Sequence, residues 1–314
     1  MKHEFKKFGD KVTRMYILLL FVMMVWGFNV SAIKVLVTNI DPILLTSVRI
    51  FAAGLGVLVI MHFMKILRWP TKKETLLIFY IAIFNVIVHH AFMALGLRLT
   101  SGVNTGLIVG LGPLLTMVLS TILLSKHVTI FKSLGFLLGF AGVIVTTLVG
   151  SGGLTGVSIG DLLVFISIAA QAFSFILISK LNPDLDPRLL TGYMLVLGSV
   201  FIFLLSLVVE SNPGQIIRLF DAELGAVFLF SALLCTAFGH MVYNFAIRQV
   251  GPAESAIFIN FNTFFALLGA ALFLGESIRW YHLSGLVLIV CGVLIGTGAV
   301  EYMVQRRRSQ TVEH

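Results

Sequence analysis

The chain has 314 residues, of which 58% are apolar and only 11% charged, with a net charge of +8 and a mean hydropathy of +1.04. Soluble domains carry about 25% charged residues, so too little charge is present to build a polar shell, and a soluble protein is excluded. The two cysteines, Cys235 and Cys291, both lie in apolar runs, which excludes a disulfide framework. Along the chain, apolar segments of helical length are predicted at 15–37, 42–64, 75–97, 102–124, 130–149, 160–180, 188–209, 222–246, 252–273 and 280–300. Each is close to the roughly 20 residues that cross a bilayer as a helix. In hydrocarbon the backbone must satisfy its own polar groups, and these runs are too long and too continuously apolar for barrel strands. The expectation is an all-α integral membrane protein with ten transmembrane helices.

The first segment follows Lys2, Lys6, Lys7, Lys11 and Arg14, a start that imitates a signal peptide. No small-x-small cleavage site follows its long apolar run, so it is read as an uncleaved span. Sorting basic residues by alternate loops puts 17 of the 22 on one side and three (Arg98, Arg218, Arg279) on the other, with Lys34 and Arg49 inside spans. That asymmetry places both termini in the cytoplasm of a plasma membrane. It also reads the basic tails as topology determinants, not as a nucleic-acid surface.

Polar residues inside the spans are the candidates for function. Trp26 and Asn29 lie in span 1. Arg49 sits about seven residues inside span 2, roughly 10 Å deep at 1.5 Å per residue. A buried charge there costs up to about 2.5–3.5 kcal/mol, and Asp161, Glu254 and Glu276 are all at span ends. Helix-end carbonyls, water, a substrate anion or snorkelling are the compensations open to Arg49, and a structural or gating role is assigned to it. Asn85, His89 and His90 follow in span 3, and Gly112-Pro113 in span 4 invites a kink, marking Pro113 as a gating residue. Ser167, Gln171 and Ser174 form a stripe in span 6, His240, Tyr243 and Asn244 a cluster in span 8, and Asn260 and Thr263 a pair in span 9. The cavity candidates are Trp26, Asn29, Asn85, His90, Gln171, His240, Tyr243 and Asn260. Such groups equally serve as interhelical hydrogen bonds. Gly135-x-x-x-Gly139 and Gly292-x-x-x-Gly296 predict close packing of spans 5 and 10.

The chain resembles itself. Asp41-Pro42-Ile43-Leu44-Leu45-Thr46 matches Asp186-Pro187-Arg188-Leu189-Leu190-Thr191 at a shift of 145. His90 falls on His240, Arg98 on Arg248 and Gly142-Val143 on Gly292-Val293 at a shift of 150. Two five-span units, 15–150 and 151–300, are therefore predicted between basic cytoplasmic tails at 1–14 and 301–314. An odd number of spans inverts the second unit relative to the first, the pattern of secondary transporters with a midplane site.

On Trp26-Gly27-Phe28-Asn29, Pro42 followed by Arg49, Ala94-Leu95-Gly96-Leu97, Gly112-Pro113, Leu274-Gly275-Glu276 and Gly292-Val293, the whole chain resembles the EamA-type branch of the drug/metabolite transporter superfamily. The resemblance implies ten helices in two inverted five-helix units and transport, often export, of small metabolites. Spans 1, 3, 4, 6, 8 and 9 would line the cavity. Where the second half has Gly275-Glu276 the first has Ser125-Lys126, so Glu276 is read as structural.

No buried carboxylate is present to exchange a proton for a cationic drug, which favours neutral, zwitterionic or anionic substrates. The expected function is a secondary transporter of amino acids or related zwitterions, in the efflux direction, by alternating access. A passive facilitator and an exporter of organic anions or drugs are the alternatives. An intramembrane enzyme or receptor is the rival of another class. No His-Glu-x-x-His, Gly-x-Ser-x-Gly, in-membrane aspartate pair or phosphate loop occurs. The expected partners are a small-molecule substrate and membrane lipid, with no nucleic acid, cofactor or metal, in a monomer or homodimer.

Overall fold

The structure is a computed structural model that describes residues 2–123, 130–151, 158–181, 185–210, 212–250, 255 and 258–296. The Ser125-Lys126 pair, Glu254 and the basic tail at 301–314 lie outside the described residues. Among the described residues the fold is helical throughout, with no strand.

Seven helices are long and apolar enough to cross a membrane. They are α1 (Lys2–Asn39, apolar over Arg14–Asn39), α2 (Pro42–Phe63), α3 (Lys72–Leu99), α4 (Gly102–Leu123), α6 (Ile159–Ser179), α7 (Pro187–Val209) and α8 (Ala222–Gln249). Among the described residues there are three further apolar helices, α5 (Ile130–Ser151), α9 (Ile259–Leu274) and α10 (Trp280–Gly296), and a 3-10 segment, Pro213–Phe220, before α8.

Local chemistry sets many of the helix ends. Pro42 and Pro187 open α2 and α7, each at a position whose N–H has no helical partner. Thr71 with Glu74 and Ser158 with Asp161 form capping boxes at the starts of α3 and α6. Gly275, with φ of 66°, ends α9 in the left-handed region, and the Glu276 N–H reaches back to the Ala270 carbonyl. The chain then aims the Glu276 carboxylate at α4, where it accepts from the Gly102 and Val103 N–H groups at 2.8 Å. Glu210 does the same for α2, accepting from the Ile43 and Leu44 N–H groups. Each acid thus satisfies two orphan donors on a helix from the other half of the chain.

Helices pair closely as α2 with α7, α5 with α10, α1 with α9 and α3 with α6, while α8 rests on α1, α2 and α7. The α5–α10 contact is made by glycines. A Cβ on Gly292 would stand 2.6 Å from the Gly135 carbonyl oxygen, and one on Gly142 would stand 2.7 Å from that of Gly285. The main core runs through α1, α2, α3, α6, α7 and α8, and a second cluster joins α4, α9 and α10. Large apolar side chains such as Ile17, Val59, Leu204, Val208, Leu272 and Val287 face outward. A surface of this kind is stable against lipid and not against water.

Candidate functional site

Two helices depart from α geometry at matching places. Residues Ile83–Val88 of α3 and Phe230–Phe238 of α8 are π-helical, immediately before His89-His90 and before Gly239-His240. A widened turn rotates the following residues and releases backbone carbonyls, and π-bulges recur at functional sites. In α8 the Ser231 carbonyl takes a 2.7 Å hydrogen bond from the Thr236 hydroxyl.

Arg49 of α2 enters this region. It is 1% exposed, and its guanidinium donates to Thr236 Oγ1 at 2.7 Å and lies 3.5 Å from both Ser231 Oγ and His90 Nδ1. The expectation of helix-end carbonyls as its partners is therefore replaced by hydroxyls and an imidazole, because the π turn of α8 points Ser231 and Thr236 inward. No carboxylate pairs with it among the described residues.

The three histidines then pack as a group. Ring centroids are 4.6 Å apart for His89–His90 and 5.3 Å for His90–His240. The hydrogen-bond network assigns their tautomers. Guanidinium has only donors, so His90 turns a lone pair on Nδ1 towards Arg49 and carries its proton on Nε2. His240 Nδ1 faces the Thr236 carbonyl at 3.2 Å, so it carries the proton there and leaves a lone pair on Nε2. His89 Nδ1 lies 2.8 Å from Ser167 Oγ, whose own proton goes to the His89 carbonyl, and His89 Nε2 accepts from the Gln171 amide at 2.8 Å. His89 is fully engaged, whereas the Nε2 atoms of His90 and His240 are buried without a partner among the described residues.

A cavity of about 70 Å³ opens beside them, lined by Trp26, Asn29, His89, His90, Gln171, His240 and Asn262 with apolar neighbours including Ile33, Met93 and Leu97. A smaller chamber adjoins it, sharing Trp26, Gln171 and Asn262 and reaching Gly112, Thr116 and Phe175. Trp26 is held between them by a 2.7 Å hydrogen bond from its indole N–H to the Cys235 carbonyl, and its ring lies against His240 and Tyr243. The buried Oδ1 atoms of Asn29 and Asn262 have no partner among the described residues. A volume of this size accommodates a few waters and is well below the roughly 300–1,000 Å³ of sites that enclose a drug-sized ligand.

Of the residues singled out from sequence, the structure brings Trp26, Asn29, His90, Gln171 and His240 to the first cavity. Asn85 instead donates to Ser174 Oγ at 2.8 Å, and Tyr243 is buried behind Trp26 against Phe175. Asn260 does not line either chamber; Asn262, two residues on, lines both. Helical spacing separates these two asparagines by about 200°, but the sequence offers no signal for which face is inward. Arg49 stands behind His90, one layer from the cavity. Pro113 follows a break in α4, where Leu111 N–H bonds Ile108 in a tightened turn between two α segments. His89, noted in span 3 but not among the cavity candidates, lines the first cavity, as does Met93 one helical turn further on.

One ring nitrogen from each histidine lies within 4.8 Å of the others, a spacing that a metal ion could bridge. The donor set does not fit one. His89 has both nitrogens engaged, and Arg49 keeps the proton of His90 on the nitrogen that would bind, while adding a positive charge.

Known proteins frame this geometry. The EamA-like transporter family matches residues 13–148 and again residues 158–297. The chain is 27% identical to the uncharacterized transporter YyaM of Bacillus subtilis (strain 168), over 96% of this chain and 99% of that one. It is 28% identical to an uncharacterized transporter of Archaeoglobus fulgidus, over 89% of this chain and 97% of that one. At 22% identity it also matches a WAT1-related chloroplastic protein of Arabidopsis thaliana, over 86% of this chain and 66% of the other. A solved crystal structure with 14% identity covers 91% of this chain and 97% of its own, with a TM-score of 0.65.

Proposed function

We propose, from the premise that the chain belongs to the EamA-like transporter family, that it is a secondary carrier moving small zwitterionic metabolites, amino acids foremost, out of the cell by alternating access. The observation that carries this reading is the polar cavity lined jointly by α1, α3, α6, α8 and α9, helices drawn from both family-matched segments. Polar side chains that line a cavity inside an apolar bundle mark a substrate path.

The reading has ten crossings, in two five-helix units inserted in opposite senses, with both termini cytoplasmic. Several observations support it. The family matches twice, and the basic residues divide 17 to three between alternate loops. Packing partners also exchange under the repeat: α1 on α9 answers α6 on α4, and α3 on α6 answers α8 on α1, while α2–α7 and α5–α10 map onto themselves. In this orientation the first cavity lies towards the outside, near Ile33 and Leu97, and the second towards the cytoplasm, near Thr116 and Phe175. Trp26 and Gln171, which occupy equivalent repeat positions, form the partition. Moving it admits substrate from one side or the other. The zwitterion finds a donor in His90 Nε2–H and acceptors for its ammonium in the free Asn29 and Asn262 carbonyl oxygens.

Purified protein in liposomes loaded with labelled alanine tests this. Saturable counterflow, lowered at least tenfold by Trp26→Ala, is the expected result. Alanine movement no faster than in empty liposomes, with the protein folded, would remove the amino-acid reading.

A further inference from the structure

The two unpartnered imidazole nitrogens differ in kind. His90 and His240 are 4% and 5% exposed, occupy equivalent repeat positions and line the same cavity. Yet His90 offers an N–H while His240 offers a lone pair, because Arg49 faces Nδ1 of the first and the Thr236 carbonyl faces Nδ1 of the second. Arg49 has no equivalent in the other half: the repeat position is Met194. A site built from symmetric histidines has thus been made chemically unsymmetric by one buried cation.

We infer that the His90–His240 pair binds a carboxylate together with one proton, so that substrate and proton cross in fixed proportion. One carboxylate oxygen accepts from His90 Nε2–H, with the Arg49 charge behind it. The other oxygen meets the His240 lone pair, and two acceptors repel unless a proton lies between them. That proton comes from solution and completes either an O–H donating to His240 Nε2 or an N–H on His240 donating to the carboxylate; atoms and charge are the same in both descriptions. Around His240 the ionisable groups are Arg49 from α2, His89 and His90 from α3, and Cys235 and Tyr243 from its own helix; α1, α6 and α9 present Trp26, Gln171 and Asn262, which do not titrate. Arg49 is the sole permanent charge in that set, and it opposes a second positive charge while the cavity holds no anion. A bound carboxylate cancels that repulsion, so each ligand promotes binding of the other. This inference rests on reading the cavity as the substrate site.

Calorimetric titration of the detergent-purified protein with propionate, propionamide and propylamine, at pH 6, 7 and 8, separates the possibilities. Linkage to one proton makes propionate affinity rise about tenfold for each unit of falling pH, with uptake of about one proton per propionate bound at pH 7. Propylamine, lacking the carboxylate, shows no such rise, and His240→Gln flattens the propionate slope. A pH-independent propionate affinity, no propionate binding at any of the three pH values, or tighter binding of propionamide than of propionate overturns the inference. The wild-type slope decides the matter even if the variant does not fold. Alanine counterflow without a proton slope would sink this inference and leave the carrier intact; a proton-linked propionate site without alanine counterflow would do the reverse.

Discussion

Arg49 is buried at 1% exposure with three polar neighbours and no anion among the described residues, so its environment is assembled from donors and acceptors that α8 and α3 bring to it. Replacing it by Met removes the charge but leaves Thr236 Oγ1 and His90 Nδ1 facing an apolar chain. An unsatisfied buried polar group costs about 1–3 kcal/mol, so Arg49→Met lowers the midpoint of thermal unfolding in detergent and, by freeing the His90 tautomer, reduces carrier flux by at least tenfold. Arg49→Lys retains the charge and reaches one of the partners, and it is expected to recover stability more than flux. Equal flux in wild type and Arg49→Met would show that the guanidinium does not act on the cavity. The sequence made Arg49 conspicuous because a charge inside an apolar run is rare. It could not disclose Thr236 as the partner, since the pair is 187 residues apart and meets only through the π turn of α8.

At the scale of helices, two devices join the halves: carboxylates of the second half that cap helices of the first, and a glycine seam between α5 and α10. Glu276 accepts from two N–H groups at the start of α4, so Glu276→Gln, which keeps one acceptor and loses the charge, costs about 0.5–2 kcal/mol. Thermal unfolding followed by circular dichroism reads this directly, and a change below the scatter of repeat measurements would assign the cap no energetic role. The seam is stricter. Gly292→Leu places a branched side chain where even a Cβ would be 2.6 Å from the Gly135 carbonyl oxygen and the Gly139 nitrogen. Overpacking of this kind costs about 1–3 kcal/mol or more, and the variant is expected to unfold or to lose α5–α10 contact, measured as a lowered midpoint of thermal unfolding in detergent. The small-xxx-small spacing announced this seam in sequence, because close backbone approach leaves only glycine at the contact. The π stretches had no such signature: Ile83–Val88 and Phe230–Phe238 read as ordinary apolar helix, and only packing reveals the extra residue per turn.

For the whole molecule, the proposed topology makes a geometric demand. With Cys235 and Cys291 replaced by Ala, a cysteine introduced at Asn212 is expected to react with an impermeant maleimide added outside intact cells, and one at Arg68 only after permeabilisation. Labelling of both from the same side would contradict the even alternation on which the inverted arrangement depends. The helix order was readable because each crossing must satisfy its own backbone and expose an apolar face, constraints that act residue by residue. The segments predicted at 42–64, 102–124 and 188–209 coincide with α2, α4 and α7 to within a residue or two. The cavity was partly readable. His90, His240, Trp26, Asn29 and Gln171 meet there, whereas Asn85 and Tyr243 were spent on contacts between helices and Asn262 took the place expected for Asn260.

Composition and apolar length alone determined a helical membrane protein and the approximate extent of several of its helices, because lipid tests every residue of a span independently of the rest of the chain, while short motifs carried the family it resembles. The tertiary structure decided which polar groups share a cavity, which hydroxyls hold Arg49 and which nitrogen of each histidine bears the proton. Those properties depend on helix rotation and on neighbours more than a hundred residues away, and a π turn or a one-residue change of face alters them without altering hydropathy at all.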